Sequence, residues 1–244
     1  MPYRRLPNTD SARLKSLKSA FEKGSDLPPF KLAFSQNSFR KIQTVLPGFE
    51  TAIYEHRNSL NLQLERNKEY QKRLKKARIY ISHFIQVVNM SICRGELIPD
   101  TRKFFGIDDE EKKLPSLHTE EEVIIWGKQL IDGEQKRLLK GLSPITNPTI
   151  AVLKVHYDKF IENHNHQQSL RERSLRAQNL LNEKRNQVDL VIQQIWNEVE
   201  NTFNDLPEDI RREKAADYGL VYVFRKSEMP NLSIFQHPQM EGIG

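Results

Sequence analysis

Cysteine occurs once, at Cys93, so the chain can form no internal disulfide and its stability must come from packing and hydrogen bonds. Glycine is also scarce, with ten residues scattered through 244. That excludes a glycine-rich loop of the kind that cradles phosphates. No apolar run approaches the roughly 18 residues that cross a bilayer. The N-terminal Met1-Pro2-Tyr3-Arg4-Arg5-Leu6-Pro7-Asn8 has charge but lacks the apolar stretch of a secretion signal. These absences predict a cytoplasmic protein with no membrane partner.

Catalytic signatures are missing as well. There is no Gly-x-Ser-x-Gly, and Cys93 stands alone at a helix end. His156, His164 and His166 are close in sequence, but on a helix His164 and His166 lie about 200° apart and cannot share one ion. No glutamate is followed by a histidine three residues later, the spacing of bundle di-metal sites. No metal ligand and no cofactor is therefore expected.

Charge is abundant. Charged residues make up 29% of the chain against 37% apolar, a balance that suits long, partly exposed helices. The net charge of +6 is unevenly spread. Residues 1–103 carry 20 Lys and Arg against 9 Asp and Glu, whereas residues 104–244 carry 18 against 23. A basic first half can serve an anionic partner, or it can simply complement an acidic second half.

The same pattern occurs twice along the chain. A helical stretch ends at Leu97-Ile98-Pro99-Asp100-Thr101-Arg102-Lys103 and leads to Phe105-Gly106-Ile107. A second ends at Leu206-Pro207-Glu208-Asp209-Ile210-Arg211-Arg212 and leads to Tyr218-Gly219-Leu220. Upstream, Phe49-Glu50, Ile53 and His56 align with Tyr157-Asp158, Ile161 and His164 at one constant offset. Such self-similarity predicts two related halves sharing a core.

The elements follow from spacing. Asp10 caps a short helix of about residues 11–23, ended by Gly24. Residues 25–35, with Pro28-Pro29, form a loop, and Phe30–Phe34 is a candidate extended segment. A helix begins near Ser35, and Pro47 should kink or interrupt it. Ile53, Leu60, Asn67, Leu74, Ile81 and Val88 recur every seventh residue, with Tyr70, Ala77 and Phe84 as a second column, in a coiled-coil-like seam. Thr119 and three glutamates start a third helix that ends near Gly141. A fourth runs from about Thr149 to Asn204. Tyr218–Phe224 reads as a strand, to be paired with Phe104–Ile107, with Phe30–Phe34 or with a second molecule.

The predicted fold is all-α: an elongated four-helix up-down bundle with a minor β element near the C-terminus. It forms a single domain over residues 1–226, with pseudo-repeats at about 10–107 and 119–224 and a loose tail at 227–244.

Two places draw functional attention. Lys68, Lys72, Lys75 and Lys76 share one helix face and could hold an anion, although no nucleic-acid-binding motif accompanies them. The seam also weakens at residues 65–73 and 162–174, where Tyr70, Glu162 and His164 could line a polar centre. The bland readings are a solvated helix flank and solvated helix middles. The expected function is a non-enzymatic interaction or scaffolding module with a protein partner, its own copy or another. The alternatives are binding of an anionic partner such as nucleic acid through the basic half, and an enzyme or ligand-binding bundle built on the polar centre.

Overall fold

The structure, a computed structural model, describes residues 2–107 and 114–223. It is all-α apart from one small sheet. The helices are α1 (Asp10–Asp26), α2 (Gln36–Cys93), α3 (Thr101–Phe104), α4 (Glu120–Leu139), α5 (Ile150–Thr202) and α6 (Glu208–Ala216). The strands are β1 (Tyr3–Arg4) and β2 (Tyr222–Val223).

Local chemistry sets the helix boundaries. Thr9, not Asp10, caps α1, its Oγ1 accepting from the Ala12 amide at 3.2 Å. Gly24 does not end that helix. It is buried, and a Cβ there would lie 2.3 Å from the Phe39 ring, so glycine is needed for close packing. The chain leaves α1 at Leu27 because a residue before proline avoids the helical region. Pro47 does not interrupt α2. A proline inside a helix costs about 3 kcal/mol, and the burial of Leu46, Phe49 and Ala52 around it offsets that cost. α4 starts with a complete capping box, in which Thr119 Oγ1 accepts from the Glu122 amide while the Glu122 carboxylate accepts from the Thr119 amide. Those bonds, led by the one from the Thr119 backbone, hold the Glu122 carboxyl below its usual range.

The chain divides into two compact units, and both long helices contribute to each. The first comprises the described residues of 1–57 and 176–244. Its core joins Leu17 and Ala20 of α1, Ile42 and Phe49 of α2, and Val188, Ile192, Ile195 and Trp196 of α5, with Ala215, Tyr218 and Leu220 closing it. Salt bridges fasten α1 at its edges: Arg13 to Asp189 at 2.7 Å, Lys18 to Glu50 at 2.7 Å and Lys23 to Asp217 at 3.0 Å.

The second unit is residues 58–175. Its core takes Leu74, Ala77, Ile81, Phe84 and Val88 from α2, Val123 and Leu130 from α4, Leu153 and Phe160 from α5, and Phe105 after α3. The seven-residue column is thus buried from Leu74 to Val88, but Leu60, one of its earlier members, is 37% exposed. Glu134 and Arg137 are fully buried here and paired at 2.6 Å. Glu134 also accepts from the Ile145 amide at 2.8 Å, and Arg137 donates to the Ser143 carbonyl at 3.2 Å. The pair fastens the turn after α4 to the helix body. Gly133 lets α3 approach, since a Cβ there would stand 2.4 Å from the Phe104 carbonyl oxygen.

The C-terminal strand is present, but its partner is the N-terminus. Tyr222 and Val223 pair antiparallel with Arg4 and Tyr3, and the Arg5 amide extends the ladder to the Val221 carbonyl. Neither anticipated partner is a strand: Pro29–Lys31 is a turn of 3-10 helix, and Phe104 ends α3. Nor are both strand faces fully covered, because Val221 is 50% exposed. Phe224 and the tail at 227–244 lie outside the described residues.

Candidate functional site

The polar stretches of the long helices are not simply solvated. Tyr70 of α2 is 1% exposed and packs against Phe160 of α5, with ring centroids 6.2 Å apart. Its hydroxyl lies 3.3 Å from His164 Nδ1. The carboxylate that completes the group is Glu120, at the start of α4. It bonds the Tyr70 hydroxyl, lies 3.5 Å from His164 Nδ1 and approaches Arg171 at 3.7 Å. Burial first, and then the bond to Glu120, push the Tyr70 phenol far above its ordinary range. Gln167, one turn beyond His164, is buried, and its Oε1 has no partner among the described residues.

The structure therefore brings Tyr70 and His164 together but leaves Glu162 exposed. Two residues before His164 on α5, Glu162 points about 200° around the helix. Glu120 carried a signal of its own in the sequence, the acidic first turn after Thr119, which reads only as dipole stabilisation. Chemically, the cluster ties the start of α4 to both long helices. Asp10 does the same work in the first unit. It is the first residue of α1 and accepts two bonds from Arg185 at 2.8 and 2.7 Å. Its carboxyl is held low, first by the Arg185 hydrogen bonds and more weakly by Arg13 and His56. α1 and α4 thus each open on a carboxylate held by a cation of α5.

The lysine face is of a different kind. Lys68, Lys72, Lys75 and Lys76 are all exposed, and none meets a carboxylate among the described residues. At helical spacing their stripe continues into Ile79 and His83. There it meets a cleft of about 730 Å3 lined by Lys76, Ile79, Tyr80, His83, Pro148 and Val152. Ile79 is 53% exposed and Val152 41%. At its edge Tyr80 stacks on His156, with centroids 4.0 Å apart and planes at 14°. Desolvation and then Lys76, Lys159 and Arg73 push the His156 imidazole below its ordinary pKa. The region is therefore densely cationic and keeps His156 neutral near pH 7.

Among the described residues, no three His, Cys, Asp or Glu side chains converge as a metal site would require, and no helix is long and apolar enough to cross a membrane. Comparison with family models, curated proteins and solved structures finds no match to this chain.

Proposed function

We propose that the protein is a non-enzymatic interaction module that holds an acidic protein segment on the lysine face of α2. One observation carries the reading: four exposed lysines that meet no carboxylate among the described residues lead into a cleft with apolar walls. An exposed cation stripe alone favours any polyanion, but the apolar walls add a place for leucine or aromatic anchors. A nucleic-acid surface gains instead from exposed stacking rings, and Tyr80 spends one ring face on His156.

The polar cluster supports the same reading from the other side. Glu120, Tyr70 and His164 satisfy one another, and Asp10 with Arg185 repeats the arrangement, as anchoring devices would.

The pseudo-repeats at 10–107 and 119–224 also belong to this proposal. Two turns support them. Phe105, Gly106 and Ile107 donate to the carbonyls of Arg102, Lys103 and Arg102; Tyr218, Gly219 and Leu220 donate to those of Ala215, Ala216 and Ala215. Both glycines have positive φ, 61° and 86°, and the flanking apolar residues are buried.

The test is binding of a fluorescent acidic peptide with leucine and phenylalanine anchors, alongside single-stranded DNA of equal charge. Lys72→Glu with Lys76→Glu should weaken the peptide about tenfold, given about 0.2–1 kcal/mol per exposed ion pair and a repulsion of similar size on reversal, and Val152→Asp should weaken it further. Tighter binding of the DNA, or peptide binding indifferent to all three changes, overturns the proposal.

A further inference from the structure

The first unit holds a second cleft, unrelated to the lysine face. It measures about 500 Å3 and is lined by Arg5, Leu6, Lys15, Trp196, Leu220 and Val221, among others. That volume lies within the range of about 300–1,000 Å3 usual for small-molecule sites.

The cleft is built by specific contacts. The Arg5 amide donates to the Val221 carbonyl at 2.9 Å, which holds the N-terminal segment beside the segment leading into β2. Gly219 has φ 86°, and a Cβ there would stand 2.8 Å from the Ser16 backbone, so glycine lets this segment lie directly against α1. Trp196 Nε1 donates to Ser16 Oγ at 3.1 Å. The indole's one polar atom is thereby satisfied, and its ring, buried in the core, backs the cleft from behind. Leu6, 43% exposed, and Val221, 50% exposed, form apolar walls open to a ligand.

Charge decides what fits. Successive residues of an extended segment face opposite ways. Arg4 is paired with Glu200 at 2.8 Å and also donates to Asn197 Oδ1 at 2.7 Å, whereas Arg5 meets no carboxylate among the described residues. On α1, Arg13, Lys18 and Lys23 are each paired, and Lys15 meets no carboxylate among the described residues. Among the described residues of the N-terminal segment and α1, the two cations without a carboxylate partner both line the cleft.

We infer that this cleft binds an amphipathic organic anion, an apolar body carrying a single carboxylate, with Arg5 and Lys15 holding the carboxylate and Leu6 and Val221 covering the body. The carboxylate would gain charge-assisted hydrogen bonds in a partly desolvated setting, and the body would bury apolar surface the protein leaves open.

Decanoate is the probe, with 1-decanol and acetate as controls, measured by calorimetry and by Trp196 fluorescence in a Trp126→Phe background of the full chain. Decanoate should bind, and either control about tenfold more weakly or worse, since it lacks one of the two contributions. Lys15→Glu and Arg5→Glu should each weaken decanoate about tenfold without changing the melting temperature. Ala12→Trp, which places a ring in the cleft, should abolish binding while circular dichroism confirms the helices. Decanol binding as well as decanoate, or decanoate binding that survives the charge reversals or the filled cleft, overturns the assignment, as does no decanoate binding by a wild-type chain whose melting curve shows it folded.

Discussion

Glu134 and Arg137 sit one turn apart on α4, both shielded from water, and between them reach the amide of Ile145 and the carbonyl of Ser143. A buried pair of this kind earns little by its own attraction, because both charges are desolvated, but losing one partner strands the other. Arg137→Ala should therefore destabilise the protein by about 3–5 kcal/mol. Glu134→Leu combined with Arg137→Met should cost clearly less than either charge removed alone. Urea unfolding of Arg137→Ala, Glu134→Leu and the double variant tests this, and a double variant at least as damaged as either single would refute it.

Gly219 and Gly95 separate two effects that usually come together. Both have positive φ, 86° and 76°. Around Gly95 a Cβ meets nothing within 4 Å, whereas at Gly219 it meets the Ser16 backbone at 2.8 Å. Gly95→Ala should cost about 1–2 kcal/mol, the left-handed penalty alone. Gly219→Ala should cost that plus about 1–3 kcal/mol of overpacking. Equal losses in thermal melts would show that the close approach is relaxed at no expense.

The fold was legible in the sequence wherever one residue type decides. A seven-residue column marked α2, and Thr119 with Glu122 marked the start of α4. Gly24 misled because a glycine that permits close packing and a glycine that ends a helix look alike in sequence; only Phe39 tells them apart, and it is distant in the chain. β1 went unseen because two residues after a proline carry no alternation. The separate cores of α1 and α4 went unseen because periodicity reports which face is buried, not against what. In the polar cluster, Tyr70 and His164 showed through the weakened seam. Glu120 did not, since it reaches His164 only after the chain turns back at Ser143–Pro148.

Acid should weaken the fold through His156. Its folded pKa lies below the value of about 6.5 expected of the unfolded chain. Between those values the unfolded state binds more protons, so stability falls as pH drops through 6.5 toward the folded pKa. Stability measured from pH 7.5 to 5.5 should decline less steeply in His156→Phe, which keeps the stack on Tyr80. Parallel curves for the two proteins would remove His156 as the cause.

Alkali probes the phenols. Tyr70 and Tyr222 are both pushed far above the ordinary value of 10, first by burial and then by bonds to Glu120 and Glu200. As the pH rises past 10 the unfolded chain releases these protons first, so stability declines. Ultraviolet titration should show at least two of the seven tyrosines, Tyr70 and Tyr222, ionising only as the protein unfolds, and Tyr70→Phe should remove one of them. Full ionisation while the helical signal persists would contradict their burial.

The pairing of Tyr3 and Arg4 with Val223 and Tyr222 sets a timetable for synthesis. Residues 58–175 form one unbroken stretch and contain the whole of their own core. The other core needs α1, made early, and Trp196, Tyr218 and Leu220, made late. On the ribosome, therefore, the middle of the chain can settle while α1 has emerged and waits with Leu17 and Ala20 uncovered. Its surroundings are complete only when nearly the last of the described residues leaves the exit tunnel. Of the described helices, the one made first is among the last to be buried.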